Sequence, residues 1–260
     1  MAAFLFDQAK RGIATITLNR PESFNTFDPQ SISEFVGILD MCARNAGVRL
    51  LCIRAAGKHF CAGADVRALP GQVGPIDAGD RGPTLSTMLR RLNAMPLPTI
   101  ALVQGACIGG GAGLVSCCDV VIAETTAFLS ISEVRLGIPP VALIPYFAAV
   151  IGQRQLRRYA LSGERINATQ ARDIGFVHEI CPPGQLASAA EPIIDALLRG
   201  GPLALAQTKR MIEEAAPVAL SEEREAALAA DFDEIIASPE AKEGVSAFRE
   251  KRTPRWYHSS

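Results

Sequence analysis

Gln104-Gly105-Ala106-Cys107-Ile108-Gly109-Gly110-Gly111-Ala112-Gly113-Leu114-Val115-Ser116-Cys117-Cys118-Asp119 joins an apolar, strand-like run to an apolar, helix-like one through consecutive glycines. Without Cβ atoms, Gly109, Gly110 and Gly111 let a ligand approach the main chain closely. The N–H groups that open a helix are unpaired donors with partial positive charge behind them. The stretch therefore serves one of two ends. It seats a phosphate or a developing oxyanion, or its glycines only let a helix pack tightly against its neighbours.

The flanks decide where this stretch resides. From Leu97 to Ala123 the only formal charge is Asp119, and Gly105, Gly109 and Gly113 fall at four-residue spacing, which resembles a transmembrane dimer face. Against that, Pro96 and Pro98 stand at its start, the glycine cluster interrupts it, and no second hydrophobic span or flanking basic cluster accompanies it. Thr99–Val103 and Val120–Ala123 read instead as short strands buried on both faces. The segment is a buried strand, turn, helix and strand.

Further out, Gly12–Leu18 alternates small or polar with branched residues and ends at Asn19-Arg20-Pro21, a strand leading into a loop, with Phe4–Phe6 as its hairpin partner. Asp28 before Pro29, with Ile32, Phe35, Val36 and Leu39 at helical spacing, predicts an N-cap and a helix to about Arg44. Val48–Ile53 is the next strand. Pro70–Gly82, with four glycines and two prolines, reads as a surface loop, and Leu85–Asn93 as a helix. The recurring order of two strands and a helix points to stacked ββα turns rather than a simple Rossmann sheet. From Leu156 the strand patterns fade, and 168–174, 185–198, 202–215 and 221–237 carry helical patterns. The expected division is a core over 1–195 and a helical region over 196–260.

At 260 residues the chain can enclose a buried site. Its 26 basic and 27 acidic residues leave a net charge of -1, so nothing in its charge attracts nucleic acid or an anionic membrane. The N-terminus shows no basic segment followed by a long apolar one, and the seven cysteines lack metal-type spacing. Both features predict a cytoplasmic protein with reduced thiols. His59, His178 and His258 are scattered and make no metal site, with His59 read as a partly exposed loop residue and His178 as a strand residue. Cys61, Cys107, Cys117 and Cys118 read as small buried apolar residues rather than nucleophiles. Asp119 is expected to satisfy backbone donors at the junction of helix and strand.

A second loop, Phe60-Cys61-Ala62-Gly63-Ala64-Asp65-Val66-Arg67, also follows a predicted strand. It combines with the glycine turn and its Cys-Asp, Ser132-Glu133-Val134-Arg135-Leu136-Gly137-Ile138-Pro139, Leu18-Asn19-Arg20-Pro21-Glu22, Asn167-Ala168 with Gly175-Phe176-Val177, and Ala247–Arg252. In this order and spacing, over almost the whole chain, the set resembles the crotonase family, also called the enoyl-CoA hydratase/isomerase family.

The resemblance implies an α/β fold: a ββα-spiral core with a helical C-terminal trimerisation region. It also implies an acyl-CoA thioester substrate, with no cofactor beyond the coenzyme A that the substrate carries. The backbone N–H groups of Ala64 and Gly110 correspond to an oxyanion hole for the thioester oxygen, and Glu133 to the carboxylate that exchanges a proton with the substrate. Ala62, Asp65, Val66, Arg67, Phe248 and Lys251 fall where coenzyme A is bound. Glu22 and Phe24 lie near the expected pocket mouth and take no role. A homotrimer or a dimer of trimers is implied.

One position departs from the pattern. Where hydratases of the family commonly carry a second glutamate, this chain has Gly113, which leaves room there for a water or a substrate carboxylate. The usual glycine-rich continuation is replaced by Pro139-Pro140-Val141-Ala142-Leu143-Ile144-Pro145-Tyr146. The combination is similar to bacterial 3-methylglutaconyl-CoA hydratases of leucine breakdown. The expected reaction is addition of water across the 2,3 double bond of an enoyl-CoA, or its reverse. Double-bond isomerisation, decarboxylation and thioester hydrolysis use the same hole and stay open, as does a noncatalytic acyl-CoA- or RNA-binding homologue.

Overall fold

Asp28 begins the first helix as the sequence predicts. Its side chain accepts the Ser31 N–H and the Ser31 hydroxyl accepts the Asp28 N–H, with Pro29 at the first helical position, where its missing N–H costs nothing. The computed structural model describes residues 2–65, 82–214, 230, 234, 236–252 and 254. Its elements are β1 (Phe4–Ala9), β2 (Ile13–Leu18), α1 (Pro29–Arg44), β3 (Leu50–Ala55), α2 (Leu85–Asn93), β4 (Thr99–Val103), β5 (Ala106–Ile108) and α3 (Gly110–Ser116). There follow β6 (Val120–Glu124), β7 (Phe128–Ser130), α4 (Ile144–Ser162), β8 (Arg165–Asn167), α5 (Ala168–Asp173), β9 (Glu179–Cys181), α6 (Leu186–Arg199), α7 (Pro202–Glu214) and α8 (Pro239–Arg249).

The strands form two sheets. One runs β1-β2-β3-β4-β6-β9 and is parallel throughout except for the β1–β2 hairpin. The other runs β5-β7-β8, and a bridge from Cys61 to Cys107 extends it past β5. Three successive turns of chain thus place one strand in each sheet: β3 then Cys61, β4 then β5, β6 then β7. This is the expected ββα spiral. Because both faces are covered at the centre of the large sheet, β3, β4 and β6 are apolar runs rather than alternating ones, and all five residues of β4 are buried. The faces divide with period two. Leu51, Ile53, Ala101 and Val103 turn toward α1 to α4, while Leu50, Cys52, Ile100 and Leu102 turn toward α6.

Several expectations shift. The third strand lies at 50–55 rather than 48–53, and β8 and β9 continue the strands beyond Leu156. At three residues each they are too short to show alternation. His178 lies one residue before β9 rather than on it, where its Nδ1 accepts the Val121 N–H at 3.0 Å. In α4 no single helical period marks the sequence, because Gly152 takes φ 68 and breaks it. One helix, α6, runs across residue 195. The loop expected over 70–82 lies outside the described residues except for Gly82, and so does most of the 221–237 helix. Among the described residues no helix is long and apolar enough to cross a membrane.

Candidate active site

The glycine turn divides its work among its residues. Gly109 takes φ 54 and donates its N–H to Ser130 O at 2.9 Å. A Cβ there would stand 2.8 Å from Glu133 Oε1, so the missing side chain seats that carboxylate. At Gly111 a Cβ would meet Cys61 Cβ at 2.7 Å, which makes this glycine the close-packing one. Gly110, between them, is buried but not crowded. A Cβ there would meet only ordinary contacts, 3.5 Å to a Leu85 methyl and 3.9 Å to Ala64 N. The close-packing reading of the sequence holds at Gly109 and Gly111, while Gly110 alone is uncrowded.

The loop opposite is pinned from two sides. Cys61 takes a rung beside β5, donating to Ala106 O at 3.1 Å and accepting from Ile108 N at 2.9 Å. On its other side Ala62 N donates to Phe24 O at 3.0 Å, Phe27 N to Gly63 O at 2.9 Å and Asp65 N to Phe27 O at 2.8 Å. The last two bonds form a parallel bridge between Phe27 and Ala64. In such a bridge the intervening residue points its own N–H the other way, and for Ala64 that is toward α3. A Cβ at Gly63 would lie 3.6 Å from Gly110 N, so the N–H groups of Ala64 and Gly110 border one small volume. Gly110, in the first turn of α3, has no intrahelical acceptor. Among the described residues Ala64 N–H has no backbone acceptor either.

Glu133 opens a short 3-10 turn, Glu133–Leu136, beyond β7. Parts of the residue are accessible, yet Oε2 is enclosed and without a hydrogen-bond partner among the described residues. Burial raises its pKa to about 7, against the pull of the Glu133 and Ser132 backbone N–H groups. A carboxyl with this pKa gives up and takes back a proton near neutrality, as an acid–base catalyst must. The turn is held from behind by α8. At Gly137 (φ 70) a Cβ would meet Glu240 O at 2.8 Å, and at Gly244 one would lie 2.1 Å from Leu136 O. Ile138, Ile236, Ala241 and Val245 close a small apolar cluster around this contact. Sequence reading missed Gly244; a glycine inside an otherwise good helix was the available signal.

Gly113 overturns its expectation. The position does not leave room: a Cβ would come within 2.5 Å of Leu143 Cδ2 and 3.5 Å of Leu89 Cδ1, and Leu143 is buried. The segment that replaces the glycine-rich continuation supplies the side chain that fills the gap.

Other predicted residues are placed as follows. Ala62 and Asp65 lie on the pinned loop, while Val66 and Arg67 lie outside the described residues. Phe248 is exposed on the last turn of α8, and Lys251 just beyond it takes φ 54. Phe24 is exposed, its ring 5.7 Å from that of His59, whose Nδ1 accepts the Ala106 N–H at 3.0 Å. Asp119 accepts a backbone donor, but from the neighbouring strand rather than its own junction: its Oδ2 accepts Thr99 N of β4 at 2.7 Å and the Thr99 hydroxyl at 2.9 Å, and also pairs with Lys209 of α7 at 2.7 Å. All seven cysteines are buried free thiols, and burial pushes Cys61 up to about 12, which removes it as a nucleophile. Among the described residues no cluster of metal-ligating side chains occurs.

Comparison with known proteins matches this geometry to a family. The sequence profile described as enoyl-CoA hydratase/isomerase matches residues 8–259. The chain is 32% identical to the mevalonyl-coenzyme A hydratase of Aspergillus fumigatus over 253 residues, covering 94% of this chain and 91% of that one. To the 2,3-dehydroadipyl-CoA hydratase of Escherichia coli it is 31% identical over 246 residues, covering 93% and 94%. Among solved structures, an enoyl-CoA hydratase of Shewanella pealeana superposes with a TM-score of 0.77 at 34% identity, covering 98% of this chain and 96% of that one. The chain is an enzyme of the crotonase, or enoyl-CoA hydratase/isomerase, family.

Proposed function

We propose that the chain hydrates an enoyl-CoA thioester, with Ala64 and Gly110 N–H as the oxyanion hole and Glu133 as the proton carrier. The observation that carries this reading is the enclosed Glu133 Oε2, without a partner among the described residues, its carboxyl raised by burial to about 7 and seated over Gly109 beside the two N–H groups. Glu133 takes a proton from water as the water oxygen bonds to C3. The electron pair of the double bond moves onto the thioester as an enolate, whose oxygen the two donors hold. The same carboxyl then returns the proton to C2, giving the 3-hydroxyacyl-CoA. Donors fixed before the reaction stabilise the enolate more than the neutral thioester, which is what lowers the barrier.

Ala62, Asp65, Val66, Arg67, Phe248 and Lys251 form the coenzyme A contacts in this reading, and no cofactor is needed beyond the coenzyme A of the substrate. The acyl group proposed is branched or dicarboxylic, with 3-methylglutaconyl-CoA as the leading substrate. Two relatives support it, their names specifying a branched and a dicarboxylic acyl group. Since Leu143 fills the space at Gly113, any group that helps orient the water is held elsewhere. We place the protein in the cytoplasm as a homotrimer or dimer of trimers, with the exposed Leu203, Met211 and Ile212 of α7 as surface suited to a subunit contact.

Leu143 favours one second reading. A single carboxylate beside an apolar wall suits moving a proton between two carbons, so double-bond isomerisation by the same residues is the alternative. A panel of enoyl-CoA thioesters, including 3-methylglutaconyl-CoA and crotonyl-CoA, assayed in heavy-oxygen water separates the two. Hydration puts label into a 3-hydroxyacyl product; unlabelled positional isomers establish isomerisation instead. Preference for crotonyl-CoA defeats the proposed acyl group, and no turnover of any thioester defeats the function.

A further inference from the structure

The loop that pins Ala64 is itself held in an unusual conformation. Phe24 and Asn25 take φ 54 and φ 55, two consecutive left-handed residues without a glycine. Asn is among the few side chains that enter this region readily, whereas for Phe it is a real outlier. Such a conformation persists only where the surroundings over-determine it. Here Asn25 supplies the restraint. Its side chain is buried, its Oδ1 accepts the Arg20 N–H at 2.8 Å, and its Nδ2 donates to Ala56 O and His59 O, both at 3.0 Å. One amide thus ties the loop at 20–27 to the chain leaving β3, immediately before the Cys61–Asp65 loop. The guanidinium of Arg20 adds a second tie, to the Asp28 carboxylate, Thr26 O and the Ser31 hydroxyl.

We infer that Asn25 is a positioning residue for the oxyanion hole: its amide fixes the backbone of Phe24 and Phe27, and through their three hydrogen bonds it aims the Ala64 N–H at the thioester oxygen. The chain of contacts is continuous. Asn25 sets the left-handed turn; the turn presents Phe24 O to Ala62 N and Phe27 N and O to Gly63 O and Asp65 N; those bonds orient the peptide between Gly63 and Ala64. The hydrogen bonds of the Asn25 amide go to backbone groups of Arg20, Ala56 and His59, so its action on the site runs through the loop. Its amide supplies both acceptor and donors, which no apolar residue of its size does. The inference rests on the reading of Ala64 and Gly110 as an oxyanion hole.

Asn25→Gly separates the side chain from the backbone, since glycine keeps φ 55 without strain and loses only the amide. Asn25→Asp keeps the acceptor for Arg20 N but loses the two donors, and carries the same test if the glycine variant does not fold. The probe is butyryl-CoA labelled with carbon-13 at the thioester carbonyl, bound to the whole protein, with its carbonyl stretch read by difference infrared spectroscopy. In the native protein the stretch falls below its solution value. In the variants at least half of that shift is lost and kcat for the preferred enoyl-CoA drops about 10- to 100-fold, as small misplacements of a catalytic group do. The loss is read in kcat at saturating substrate and in the carbonyl stretch of the fully bound probe, so a looser hold on coenzyme A by Ala62 and Asp65 enters neither readout. Retention of the full shift and of kcat, with or without a lower melting temperature, overturns the inference and leaves Asn25 a purely structural residue. Absence of any shift in the native protein overturns the oxyanion hole itself, and the inference with it.

Discussion

Gly110 and Gly113 stand one turn apart on the same short helix, and the surroundings assign them opposite roles. At the first turn no side chain crowds the buried backbone: Gly110 N–H and Ala64 N–H border a shared volume beside the Glu133 carboxyl. At the second turn the backbone is sealed by the Leu143 side chain, 2.5 Å from where a Cβ would stand. The comparison teaches that a glycine run is not one motif. One glycine exposes donors, another admits a side chain from a distant segment, and only the neighbours tell which.

Breaking the open end has the largest expected effect. Glu133→Gln keeps the shape but carries no proton, and kcat should fall by about a thousandfold with the KM little changed. A residual rate above one tenth of the native value argues against the carboxylate as proton carrier. Next comes Gly110→Pro. Proline is tolerated at the first position of a helix, and it replaces the N–H there with a ring carbon that also blocks the hole, so a loss of kcat of about a hundredfold or more is expected. Near-native turnover would remove Gly110 from the oxyanion hole.

The sealed end should respond in stability rather than chemistry. Gly113→Ala drives a methyl into Leu143 and should cost about 1 to 3 kcal/mol. Leu143→Ala costs stability of its own, but in that background Gly113→Ala should cost much less than it does alone, a coupling readable in denaturant titrations of the two single variants and the double one. Additive losses would mean that the two side chains do not compete for the same space.

The smallest effect is in pH dependence. With the Glu133 carboxyl at about 7 in the folded protein and near 4.5 when unfolded, the folded state holds its proton more tightly. Its favourable contribution is fully present below the unfolded value and is lost as pH rises through about 7. Glu133→Gln, which never ionises, should therefore melt above the native protein at pH 8, the gap closing toward pH 5. The same group predicts a kcat/KM for hydration that rises with pH and levels off above about 7. A flat profile between pH 5 and 8 would place the working proton elsewhere.

Much of the fold was legible because its signals are local. The Asp28-Pro29 start of α1, the even apolar runs of β4 and β6 and the helical period of α2 each rest on residues within a turn or two. The short strands β8 and β9 were not, since three residues cannot establish a period. At the site, Ala64, Gly110 and Glu133 were read from their motifs, and the structure brings them together. Asn25 and Gly244 were not read, because their partners lie elsewhere in the chain: the carbonyls of Ala56 and His59 for one, that of Leu136 for the other.

The sequence by itself determined the ββα order, the position of the glycine turn and the absence of a second carboxylate at Gly113, since each depends on which residues stand where along the chain. Only the tertiary structure decided that Gly109 seats Glu133, that burial brings that carboxyl near neutrality, and that Leu143 closes the gap beside Gly113. These depend on distances between segments far apart in sequence. A pKa or a filled space is a property of such an enclosure and not of any one residue in it.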